Sequence, residues 1–193
     1  MRAVKELPLR YTATSKFELR KDRKLAVLVN VLGFALIISF NLIFLTYFGV
    51  VHIDKTITFP SFITICVTFI IGSILMVITR EIIHGMFFYA YTQTMPRFGL
   101  SLLYASAAAP DWYIPRGQYL AISMAPFFVM TAAGLLLIQF LSGYWGLMLT
   151  IFTAINAGSS AGDIWVTRWV LQHSPQAYVN DRGESMILYD IPE

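Results

Sequence analysis

Arg80-Glu81-Ile82-Ile83-His84 places a carboxylate and an imidazole three residues apart near the end of a long apolar run. Residues i and i+4 of a helix share a face, so two histidines at that spacing can grip one Zn²⁺ while the glutamate between them activates a bound water. Here arginine stands in the first of those positions, and a guanidinium has no lone pair to give a metal. Two chemistries remain open. One is hydrolysis at a zinc held by His84 and a ligand from elsewhere, with Glu81 as general base. The other is a metal-free charge pair in which Arg80 supplies the positive charge that zinc otherwise brings.

The partner expected for His84 is Asp163. Both Glu81 and Asp163 fall inside apolar segments, where an ionisable group costs roughly 2.5–3.5 kcal/mol at the bilayer centre and so requires a partner. Asp163 closes a run of small residues, Asn156-Ala157-Gly158-Ser159-Ser160-Ala161-Gly162, whose two glycines stand at GxxxG spacing. Small residues let helices approach closely, and the run is expected to pack the fourth apolar segment against the second. Asn156 can hydrogen-bond either a peptide backbone or a neighbouring helix, and Pro126 is expected to kink the third segment. Of the other histidines, His52 is expected on the opposite membrane face, and His173 follows Asp163 by ten residues, about 15 Å along a helix. Cys66, the single cysteine, lies in an apolar run and reads as a small buried hydrophobe.

The elements that position these residues follow from composition. With 193 residues, 57% of them hydrophobic, 13% charged and a mean hydropathy of +0.65, the chain belongs in a lipid bilayer. Eight of the basic residues (Arg2, Lys5, Arg10, Lys16, Arg20, Lys21, Arg23 and Lys24) precede the first apolar segment, a membrane flank rather than a nucleic-acid surface. The expected fold is an all-α polytopic membrane protein of about four spans, 25–51, 61–91, 117–141 and 145–171. A basic cytoplasmic arm, 1–24, precedes the spans, and a cytoplasmic tail, 172–193, follows them. A link with His52, Asp54, Lys55 and Pro60 joins the first two spans. Between the second and third spans, the Pro- and Gly-rich stretch from Pro96 to Arg116 suggests a re-entrant or hairpin element shielded by protein. The tail suggests a small β-hairpin around Asn180-Asp181-Arg182-Gly183, its acidic residues read as a solvated end. Four spans put both termini in the cytoplasm of a cell-membrane protein. They also place Glu81, about 20 residues into the second span, level with Asp163, about 18 into the fourth.

Taken in order, Glu81 to Gly85, Pro96 to Gly99, Ala109 to Pro115, Ala125-Pro126 and Asn156 to Asp163 resemble a bacterial family of unknown function described as putative zincin peptidases. The resemblance covers most of residues 61–191. That family is similar to the site-2 protease class of intramembrane metallopeptidases. The resemblance implies His84 and Asp163 as zinc ligands, Glu81 as general base, and Arg80 in the place of the first ligand. Three functions are consistent with these readings. The first is a zinc-dependent intramembrane peptidase acting on a transmembrane or membrane-proximal peptide. The second is an inactive pseudoprotease that binds a membrane segment or partner protein. The third is a small channel or proton-linked carrier built on Arg80, Glu81 and Asp163, although four spans leave little room for the inverted repeats of transporters.

Overall fold

The computed structural model describes residues 1–18, 23–52, 57–101, 104–183 and 185–192. Arg20 and Lys21 of the basic arm, Asp54 and Lys55 of the first link, and Glu193 lie outside them. The chain is mostly helical. Three uninterrupted apolar runs form helices α1 (Arg23–Val51), α2 (Phe62–Thr92) and α3 (Arg116–Ile138), of 29, 31 and 23 residues. At 1.5 Å per residue they measure about 34–46 Å, enough to cross the roughly 30 Å of hydrocarbon in a bilayer. All three are long and apolar enough to span a membrane. None of the most apolar stretch of α2 is buried by the protein itself, as expected of a helix that faces lipid.

The expected fourth span is not one helix. It divides into α4 (Gly143–Ser159) and α5 (Ala161–Leu171), with Ser160 between them. The small residues that suggested tight packing also cause the break. The Asn156 carbonyl accepts from the Ser160 N–H at 3.2 Å, the Ser159 hydroxyl at 2.9 Å and the Ser160 hydroxyl at 3.0 Å. Serine hydroxyls that bond back to the preceding turn compete with continued helix. At 17 residues, α4 is shorter than the three apolar helices.

Beside the helices stand two small antiparallel sheets, in keeping with the hairpins expected from sequence. The element between α2 and α3 is a hairpin of β2 (Arg97–Ser101) and β3 (Tyr104–Ala108). The tail hairpin also forms, as β5 (Tyr178–Asp181) and β6 (Met186–Asp190). It belongs to a larger sheet with β4 (Ile114–Pro115) and an amino-terminal strand, β1 (Thr12–Phe17), in the order β1-β6-β5-β4. The basic arm is thus pinned to the other end of the chain, with Thr12 opposite Asp190 and Phe17 opposite Met186.

The chain divides into two compact units. The first comprises Met1–Val29, Glu81–Ala125 and Gly162–Glu193. Its core gathers Phe17, Phe88, Ile122, Val170, Val179 and Leu188. The tail acids were read as a solvated end, but Asp181 is buried here, accepting from the Tyr119 hydroxyl at 2.7 Å and the Gly183 N–H at 2.8 Å. Its neighbour Asn180 is also buried and donates to the carbonyls of Pro110 at 2.7 Å and Trp112 at 2.9 Å. Polar groups taken from water need such partners, and the sheet supplies them.

The second unit comprises Asn30–Arg80 and Pro126–Ala161. Of the chain's 14 basic and 11 acidic residues, it contains only Asp54, Lys55 and Arg80. Its helices approach closely at glycines. A Cβ on Gly158 would collide with Ile37 and lie 2.8 Å from the Gly33 carbonyl oxygen. The GxxxG glycine therefore seats α4 on α1, not on α2 as expected. Packing of α4 on α2 uses other residues: Phe152 lies over Gly72 and stacks on Phe69 with ring centroids 5.7 Å apart.

Candidate functional site

Glu81 and His84 belong to α2, Asp163 to α5, and all three lie in the first unit. His84 is held by α3. Its Nδ1 lies 3.0 Å from the Ile122 carbonyl oxygen. A carbonyl only accepts, so Nδ1 carries the proton of this bond and Nε2 is the ring atom turned toward α5. That atom lies 3.9 Å from Asp163 Oδ2, with both side chains largely withdrawn from solvent.

The break at Ser160 gives Asp163 its setting. Because α5 begins at Ala161, Asp163 falls in the first turn of a helix, where the positive end of the helix dipole favours a carboxylate. The same turn is tied to α3 by the Ser123 hydroxyl, which donates to the Asp163 carbonyl at 3.2 Å and accepts from the Thr167 hydroxyl at 3.3 Å. Gly85, next to His84, is covered by the ring of Phe98 from β2. A Cβ there would lie 2.6 Å from that ring, so the hairpin approaches α2 directly beside the histidine.

Arg80 and Asn156 lie in the second unit. Arg80 Nη1 donates to the Ser159 carbonyl at 2.8 Å and to its hydroxyl at 3.0 Å. Asn156 is buried, and its amide nitrogen reaches the Pro126 carbonyl at 3.5 Å. Its carbonyl oxygen has no hydrogen-bond partner among the described residues. The reserve histidines are engaged locally: His52 Nε2 lies 2.7 Å from the Ile138 carbonyl, and His173 Nδ1 lies 2.9 Å from that of Trp169.

The donors can be tested against zinc, which binds imidazole nitrogen at about 2.0–2.1 Å and carboxylate oxygen at about 2.0–2.2 Å in tetrahedral geometry, so that two donors of one ion stand about 3.4 Å apart. His84 and Asp163, at 3.9 Å, stand about half an ångström wider than that. A zinc-ligating histidine ordinarily donates its other ring N–H to a carbonyl or carboxylate, as His84 does here. A catalytic zinc, however, has three protein ligands. Among the described residues no group of three or more His, Cys, Asp or Glu side chains is placed to hold a metal ion. The donor set thus offers zinc two neighbouring ligands, more widely spaced than a bound ion would hold them, and lacks the third.

Sequence reasoning missed the part α3 plays in this site, through the Ile122 carbonyl and Ser123. The one available signal was Pro126, four residues after Ile122.

The structure is that of a mostly helical protein with three apolar helices of membrane-crossing length and an imidazole and a carboxylate, His84 and Asp163, side by side. Residues 73–178 match the family described as "Putative zincin peptidase", and the chain belongs to that family. No curated protein and no solved structure matches it.

Proposed function

We propose that this chain is a multi-pass membrane protein built on the scaffold of an intramembrane zinc metallopeptidase similar to the site-2 proteases, and that its metal centre is reduced to the two donors His84 and Asp163. The observation that carries this reading is the His84 ring, oriented by the Ile122 carbonyl so that Nε2 faces Asp163. Membrane insertion is supported by the three apolar helices and by a second unit almost free of charge. The basic residues before α1 support a cytoplasmic position for that end of the chain in a cell-membrane protein. With arginine where the third ligand would stand, the protein acts as a pseudoprotease. It holds a transmembrane or membrane-proximal peptide without cleaving it.

A second reading, a competent zinc peptidase with Glu81 as general base, is favoured by one specific observation. The hydrogen bond from His84 Nδ1 to Ile122 is of the kind that zinc-ligating histidines make with their other ring nitrogen. Zinc content of the detergent-purified protein, compared with Arg80→His and His84→Ala variants, separates the two. The pseudoprotease reading expects substoichiometric zinc in the natural protein and stoichiometric zinc in Arg80→His. Stoichiometric zinc in the natural protein, lost in His84→Ala, overturns it in favour of the peptidase.

A further inference from the structure

We propose that Pro126 is a positioning residue for His84, acting by leaving the Ile122 carbonyl without a helical donor. In an α-helix the carbonyl of residue i accepts from the N–H of residue i+4. Four residues after Ile122, within the continuous helix α3, stands Pro126, and proline has no N–H. Ile122 is 1% exposed, so water does not reach this position to take the missing place. A buried carbonyl of this kind finds another donor, and the structure supplies His84 Nδ1 at 3.0 Å.

The consequence is specific to the imidazole. Binding the vacated carbonyl fixes the proton on Nδ1 and sets the plane of the ring. It also leaves Nε2 toward Asp163, 3.9 Å away. In an intact helix the same carbonyl would already be engaged, and His84 would have to share it. Pro126 thus performs, through the backbone, the orienting task that an outer carboxylate performs at many metal sites. This is separate from any bend proline imposes on α3. Moving the proline one residue earlier keeps a proline in the helix but vacates the Ala121 carbonyl, about 100° further round the axis. The inference holds whether or not the site cleaves peptides.

The test is ¹⁵N NMR of protein labelled at the histidine rings, in detergent at a pH where the rings are neutral, with the His84 signals assigned by their loss in His84→Gln. The natural protein is expected to show His84 as the Nδ1-protonated tautomer with slowed exchange of that proton. Pro126→Ala restores a competing N–H, and the signal is expected to move toward the Nε2-protonated tautomer. The double variant Ala125→Pro/Pro126→Ala is expected to show the same change even though the helix retains a proline. An Nε2-protonated His84 in the natural protein overturns the proposal without recourse to any variant. So does an unchanged His84 signature in Pro126→Ala, or a natural signature retained in the double variant.

Discussion

Asp181 illustrates how far one side chain can depart from the reading its type suggests. In an Asn-Asp-Arg-Gly turn an acid reads as solvated, yet Asp181 is enclosed by the first unit with the Tyr119 hydroxyl on Oδ2 and the Gly183 N–H on Oδ1. Burial pushes its carboxyl above the usual carboxylate range, and these two hydrogen bonds offset the shift only in part. Raised in the folded state, the group binds its proton more tightly there than in the unfolded chain. Its contribution to stability is therefore complete below the ordinary carboxylate value and is lost as pH rises through the folded value. Asp181→Asn cannot titrate, and thermal unfolding in detergent between about pH 4 and pH 7 should show a smaller decline in stability than the natural protein does. Tyr119→Phe removes the donor to Oδ2 and should cost about 1–3 kcal/mol, read from denaturant midpoints. A Tyr119→Phe variant as stable as the natural protein would mean that this bond contributes nothing to holding the sheet on α3.

At the scale of elements, the same short run of small residues does two different things. Gly158 is where α4 meets α1, since a side chain there would strike Ile37 and the Gly33 backbone. Gly162, its partner in the GxxxG spacing, has nothing within 4 Å of a built Cβ. The two glycines should therefore respond with opposite signs. Gly158→Ala overpacks a helix contact and should destabilise by about 1–3 kcal/mol. Gly162→Ala meets open space within α5 and should stabilise by up to about 1 kcal/mol through helix propensity. Equal effects in detergent unfolding would refute the assignment of the contact to Gly158 alone. Between the glycines lie the serines that end α4, and this break gives Asp163 its place at a helix start. From sequence, GxxxG announces close packing but not which neighbour is packed or whether the helix continues. Long apolar runs are a stronger signal, because only a helix can satisfy the backbone along them. The first two helices accordingly lie within two residues of their expected bounds, and the third ends three residues early. Strand β1 carried no such signal, since Thr12–Phe17 becomes a strand only by pairing with β6, which starts at Met186 at the far end of the chain. The Ile122 carbonyl was hidden for another reason: a backbone group has no residue type, and only the missing N–H of Pro126 pointed to it.

For the whole molecule, the distribution of charge argues for a membrane topology. The second unit contains three charged residues, two of them in the link between α1 and α2, whereas the first holds the basic arm, the sheet and the His84–Asp163 pair. Cationic flanks are generally retained on the cytoplasmic side, and the proposed topology takes the direction of the first crossing from the basic residues before α1. Each later apolar helix reverses it. In the topology proposed above, with α4 as a fourth crossing, the α1–α2 link and the Ser142-Gly143 turn after α3 would face outward, and both termini and the β2–β3 hairpin would face the cytoplasm. Single cysteines introduced into a Cys66→Ser background test every part of this. Phe59→Cys and Ser142→Cys should react in intact cells with a membrane-impermeant maleimide. Thr12→Cys, Met95→Cys and Ser185→Cys should react only after the membrane is permeabilised. Labelling of Ser185→Cys in intact cells would put the tail outside, an odd number of crossings from the arm. The antiparallel pairing of β1 with β6 makes that outcome incompatible with the fold itself, because two hydrogen-bonded strands cannot lie on opposite sides of a bilayer. The positions of the two termini are thus linked by a sheet as well as by a count of helices, and a single discordant label at either end would overturn the four-crossing arrangement.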